Sequence, residues 1–177
     1  MSNFLIKTPG RTGSHIFTDY LRKNSSNRVD HCQTMWIPNN TENWTCILSK
    51  RRNWFDMACS RVITSCTRQY GPYKIKKNLK ISTDIESLIE SAGYAKNWYT
   101  TFEAQSKKYN WKTIYTIYYE DLKLDKSILQ SLDNSIQGYD FDKTMISPYT
   151  FKNIIIDYEI LKIQFEEWQN DIGLVNE

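Results

Sequence analysis

The stretch that decides the fold is residues 3–21, "NFLIKTPGRTGSHIFTDYL". Phe4–Lys7 is short, apolar and strand-like. Ser14–Lys23 carries Ile16, Phe17, Tyr20 and Leu21 on one helical face. Between them lie two glycines, an arginine and several hydroxyl or imidazole side chains. A helix N-terminus offers unpaired N–H groups and a partial positive charge, so such a loop suits an anion. The same loop also fits a plain strand–helix turn with a Ser cap. It is not a Walker A loop, because Gly10 and Gly13 are too close together and no G-K-[ST] follows.

Working outward, further strands are expected at Arg28–Cys32, Thr45–Ser49 and Thr113–Tyr119. The first, third and fourth strands of the chain read as buried parallel strands. Helices are expected at Trp54–Arg68, Asp84–Tyr109, Lys126–Ile136 and Thr150–Ile172, with Gly93 weakening or splitting the second of these. Alternating strands and helices predict a single α/β domain over residues 1–177, with a mostly parallel central sheet flanked by helices. Ligands in such sheets bind beyond the carboxyl ends of the strands, where three loops would open on one rim. The segment Tyr70–Ile81, with four lysines, reads as a surface loop or as a basic flap over an anion.

The bulk properties narrow the class. The chain has 177 residues, 40% hydrophobic and 24% charged, which describes an ordinary globular protein. A net charge of +3 is too mild to argue for nucleic acid or a membrane surface as partner. No charged-then-apolar leader and no long apolar span is evident, so a cytoplasmic location is expected. Cys32, Cys46, Cys59 and Cys66 form no C-x-x-C pair and, with His15 and His31, no zinc-like spacing. They read as buried reduced thiols, and no metal is expected.

A second basic turn lies in "ILSKRRNWFDMACSRVI", residues 47–63. Arg52 stands at a strand end and Ser60 on the helix that follows. Arginine suits a bidentate grip on phosphate, and a hydroxyl adds a directed donor. Two anion cradles on one rim are therefore expected.

The pair resembles the sulfotransferases that use 3′-phosphoadenosine 5′-phosphosulfate (PAPS). Their first loop reads roughly [KR]-[ST]-G-[ST]-[ST], and this chain has Arg11-Thr12-Gly13-Ser14-His15, with His15 departing. Their 3′-phosphate motif reads roughly R-[ND]-P-x-[DE]-x-x-x-S, matched from Arg52 to Ser60 except at Trp54. A later Y-E-D-L motif matches Tyr119-Glu120-Asp121-Leu122. No copy of the glycine- and lysine-rich C-terminal motif of the cytosolic members is found. The resemblance implies a 5′-phosphosulfate cradled by Gly10, Arg11, Thr12, Gly13, Ser14 and His15, and a 3′-phosphate read by Arg52 and Ser60. Arg11 would stabilise charge on the bridging oxygen. Family members place a base after the second strand, where Asp30 and His31 lie. His31 titrates near neutrality and is the first choice, with a transition near the imidazole pKa; Asp30 and His15 are rivals, and an ordinary surface histidine is the bland reading. Glu120 and Asp121 are paired carboxylates after a strand, and they read first as a turn and helix cap.

The expected activity is transfer of a sulfuryl group to a hydroxyl or amine on a small-molecule or carbohydrate acceptor. The loops at 33–43 and 69–82, rich in Trp and Tyr, would shape the acceptor pocket. A nucleotide-binding module without turnover, and a P-loop nucleotide kinase-like enzyme, are the alternatives.

Overall fold

The structure is a computed structural model of the chain that describes residues 3–10, 14–68, 78–124, 132 and 150–174. Four strands form one sheet: β1 (Asn3–Lys7), β2 (Val29–Cys32), β3 (Trp44–Lys50) and β4 (Thr113–Tyr118), in the order β2-β1-β3-β4. Every pairing is parallel, with Phe4 opposite Val29, Leu5 opposite Cys46 and Ile47 opposite Tyr115. The α/β class with a parallel sheet flanked by helices is thus as the alternation of the sequence predicts.

The helices are α1 (Ser14–Asn24), α2 (Trp54–Thr67), α3 (Ile85–Ser106), α4 (Tyr119–Leu124) and α5 (Tyr158–Asp171). Residues group into two compact units. The first unit, residues 1–52 and 96–140, holds the sheet, α1, the C-terminal half of α3 and α4. The second, residues 53–95 and 141–177, holds α2, the N-terminal half of α3 and α5.

In the first unit β1 is central, and Phe4, Leu5 and Ile6 are buried on both faces. From α1, Phe17, Tyr20 and Leu21 are buried, as their helical spacing predicts. The Arg22 Nε donates to the Val29 carbonyl at 3.1 Å, joining the end of α1 to the start of β2. From α3, Tyr99 donates its hydroxyl hydrogen to the Ser49 carbonyl at 3.0 Å. Trp98 and Phe102 stack with centroids 5.5 Å apart. Because β1 has β2 on one side and β3 on the other, the connections out of β1 and β3 diverge. The crevice at their carboxyl ends is the switch point where such sheets take ligands.

The second unit packs aromatics. Phe55 of α2 lies 5.2 Å from the Tyr158 ring and 5.3 Å from Phe165 of α5, which in turn lies 5.1 Å from Trp168. Asn53 caps α2, its Oδ1 accepting from the Asp56 N–H at 2.9 Å.

The structure departs from the sequence reading in several places. Gly93 does not split its helix, since α3 is continuous from Ile85 to Ser106. Among the described residues β4 is an edge strand and not a buried one: Ile114 and Tyr115 are exposed, and only β3 pairs with it there. Tyr119 starts α4 and does not extend β4. The long helix expected from Thr150 is interrupted. Ile81 donates its N–H to the Ile154 carbonyl at 2.8 Å and accepts from the Ile156 N–H at 2.9 Å, so that carbonyl and that N–H are taken by another segment and are lost to a continuous helical ladder. Asp157 then adopts a left-handed conformation, φ 57°, before α5 begins. Cys46 and Cys59 are buried, but Cys32 is only half-buried and Cys66 is exposed. The expected helix at Lys126–Ile136, residue 132 apart, and the basic stretch of the 70–81 segment up to residue 77 lie outside the described residues.

Asp157 makes no side-chain cap to α5, so replacing it removes no capping hydrogen bond at that helix end. Asp157→Gly is expected to raise stability by about 0.5–1 kcal/mol, because glycine enters the left-handed region without a Cβ penalty. Urea unfolding measures this, and a lower midpoint would contradict it.

Candidate functional site

The carboxyl rim of the sheet starts from β1. Lys7, its last residue, is fully buried. Its ammonium donates to the carbonyls of Thr34 and Trp36, the latter at 2.8 Å, and lies 3.5 Å from the Cys32 sulfur. The Trp98 and Phe102 rings lie beneath it at 5.7 and 5.2 Å. Trp98 also donates its indole N–H to the Gln33 carbonyl at 2.9 Å. The segment after β2 is therefore held from two sides by buried groups. Burial pushes the Lys7 amine below its ordinary pKa, against the pull of Cys32.

Gly10 has φ +92°, a conformation that admits only glycine readily, and its N–H donates to the Thr8 hydroxyl at 3.0 Å. Arg11, Thr12 and Gly13 lie outside the described residues. The described structure resumes at Ser14, where α1 begins.

His31 lies inside β2, opposite Ile6, and not in the loop after it. Its Nε2 is 2.9 Å from the Ser14 hydroxyl, and its ring centroid is 4.4 Å from that of His15. Ser14, His15 and His31 thus meet on one face of the sheet. Asp30 points to the opposite face, as strand alternation requires. There it is bonded by Arg28, with Nη2–Oδ2 at 2.8 Å and Nε–Oδ1 at 3.2 Å. The geometry therefore separates the two rival bases.

Burial first, then the charges of His15 and Arg22, lower the His31 pKa from 6.5 to about 4. This corrects the expectation of a transition near the ordinary imidazole value. The ring is neutral throughout the physiological range. In the tautomer whose Nε2–H donates to Ser14, the Nδ1 lone pair is left to accept a proton. Ser14 is only 1% exposed, so its hydroxyl orients His31 and is not placed as a nucleophile.

Arg52 follows β3 on the same rim. Its guanidinium is held by Asp121, with Nη2–Oδ2 at 2.7 Å and Nε–Oδ1 at 3.2 Å, and stacks 4.1 Å from the Tyr118 ring. Its backbone N–H donates to Glu120 at 3.0 Å. Asp121 thus raises the Arg52 pKa further. Glu120 and Asp121 sit in the first turn of α4, as a helix-start reading predicts, and they also bind the β3 loop. The Nη1 edge of Arg52 makes no hydrogen bond among the described residues, and 40% of the side chain is exposed. Ser60 is buried in α2 and belongs to the second unit, whereas Arg52 belongs to the first. Lys7, Gln33 and Trp98 escape sequence reasoning. The one signal was a lysine closing an apolar strand.

Among the described residues, no group of three or more His, Cys, Asp or Glu side chains is placed to hold a metal ion. No helix there is long and apolar enough to cross a membrane.

The His31 shift has a stability consequence. Its pKa is lowered on folding, so the unfolded chain binds the proton more tightly. The stability cost is absent above pH 6.5, grows as pH falls through the unfolded value, and is complete below about 4. It amounts to about 3 kcal/mol. His31→Asn is expected to flatten the loss of stability between pH 6.5 and 4 in denaturant titrations. An unchanged pH slope would contradict the shift.

Compared with protein-family models, with curated proteins and with solved structures, the chain matches none.

Proposed function

We propose that this chain is a sulfotransferase that moves a sulfuryl group from PAPS to an acceptor hydroxyl or amine on a small molecule or carbohydrate. The observation that carries this reading is the Ser14–His31 hydrogen bond at 2.9 Å. It joins the start of the anion-binding helix to a neutral imidazole, at the rim where a parallel sheet takes ligands.

The residues present fit such a donor at both ends. The α1 N-terminus and the Gly10 turn suit the 5′-phosphosulfate, with Arg11 between them in sequence. Arg52, fixed on one edge by Asp121 and on one face by Tyr118, keeps a second edge for a phosphate. When bound, PAPS supplies a sulfuryl group on a phosphate leaving group. His31 takes the acceptor proton at Nδ1 while Ser14 holds the ring. Arg11 and the α1 N–H groups stabilise the charge that develops on the bridging oxygen, which is an electrostatic role. Trp36 ends the held 33–36 segment with its ring exposed, and it suits stacking on a sugar or aromatic acceptor.

A thermal-shift panel tests the donor. Adenosine 3′,5′-bisphosphate should raise Tm more than ATP with magnesium, by mass action; selective stabilisation by ATP would overturn the reading in favour of a kinase-like enzyme. His31→Ala should lower transfer about 10²–10⁴-fold with nucleotide affinity retained. The wild-type rate should be flat from pH 6 to 8, since the base is already neutral there. Binding without any transfer would point to a nucleotide-binding module. Asp121→Asn should weaken adenosine 3′,5′-bisphosphate binding about tenfold by releasing Arg52, yet spare adenosine 5′-phosphate. Equal loss for both nucleotides would remove Arg52 from the 3′ site.

A further inference from the structure

Lys7 and Cys32 are register partners at the carboxyl ends of β1 and β2, so their side chains leave the same face of the sheet. Lys7 is fully buried, and its Nζ is 3.5 Å from the Cys32 sulfur. Two other contacts of Nζ are the carbonyls of Thr34 and Trp36. A neutral amine has two hydrogens and one lone pair. In the ammonium the third hydrogen is directed at the Cys32 sulfur, and loss of that proton leaves the lone pair facing sulfur while the two carbonyls hold the other hydrogens. Burial favours that neutral amine. Cys32 is half-buried, so a small oxidant can reach it, whereas the buried Cys46 thiol is pushed up to about 12 and is inert.

We propose that Lys7 and Cys32 form a redox modification site, in which hydrogen peroxide drives a reversible covalent cross-link between the two side chains. In the first step the Cys32 sulfur attacks peroxide. An S–O bond forms, the O–O bond breaks, water leaves, and sulfur is oxidised to sulfenic acid by two electrons that reduce the peroxide. In the second step the Lys7 lone pair attacks that sulfur. An S–N bond forms, the S–O bond breaks, and the hydroxide leaves with an amine proton as water, with no further electron transfer. The product is a sulfenamide, which thiols reduce back to the free pair. The link draws Nζ toward sulfur and away from the Thr34 and Trp36 carbonyls. It thereby loosens the segment next to His31. The chemistry depends only on this pair and stands apart from the sulfotransferase reading.

Peptide mapping after brief peroxide treatment of the folded protein tests it. Free thiols are alkylated, the chain is digested with trypsin, and the products are weighed. The expected product joins residues 1–11, which contain no cysteine, to residues 29–50. Its mass is lower by two hydrogens than the sum of the two peptides, cleavage after Lys7 is lost, and dithiothreitol restores both. Cys32→Ser should abolish the product. Wild-type protein treated in urea should also lack it, because the contact exists only in the fold. Cys32 recovered as a sulfinic acid, or in a disulfide with Cys46, with residues 1–11 unlinked, would overturn the proposal. So would equal cross-linking in urea.

Discussion

A buried ammonium organises the rim of this protein. Lys7 ends the central strand with its side chain fully enclosed, and an enclosed cation must be given partners. Its partners are the Thr34 and Trp36 carbonyls and the faces of Trp98 and Phe102. Meeting that demand fixes the course of the chain after β2. It also sets the C-terminal half of α3 against the sheet, where Trp98 binds the Gln33 carbonyl. The same strand passes directly into the glycine turn that precedes α1. One polar group therefore couples the core to both loops of the candidate site.

The two faces of the rim solve different electrostatic problems. On the α1 face, His31 is kept neutral by burial and by two neighbouring cations or potential cations, His15 and Arg22. A ring so placed is weakly basic but always unprotonated near neutrality, which suits a role that is needed at every turnover. Farther along, Arg52 is kept charged and is also immobilised. Asp121 fills one edge of the guanidinium and Tyr118 covers one face. An exposed arginine loses rotamer freedom when it grips an anion; one already held loses less. Glu120 adds the backbone N–H of Arg52 to the same tie, so the turn itself is fixed.

Much of the fold was legible because it rests on local periodicity. The apolar runs of β1 and β3, and the spacing of Phe17, Tyr20 and Leu21 in α1, state their burial directly. Where long-range pairing decided the outcome, the periodicity misled. Ile154 and Ile155 continue the apolar pattern toward α5, yet the backbone there is tied to Ile81. β4 is as β-branched as a central strand, and nothing in its own residues says that it lies at an edge. The helix-start reading of Glu120 and Asp121 was correct but incomplete, since their grip on Arg52 crosses from one loop to another.

The sequence by itself determined the α/β class, the order of its strands and helices along the chain, and the loops that share one end of a parallel sheet. These follow from patterns carried by neighbouring residues. Only the tertiary structure decided that His31 meets Ser14 and is neutral, that Asp30 is turned to the other face, that Arg52 is held by Asp121, and that Lys7 is enclosed beside Cys32. Each of these depends on residues distant in the chain, and on the burial that their contact creates. A pKa, a tautomer or a held guanidinium is a property of that environment, which no local stretch of sequence contains.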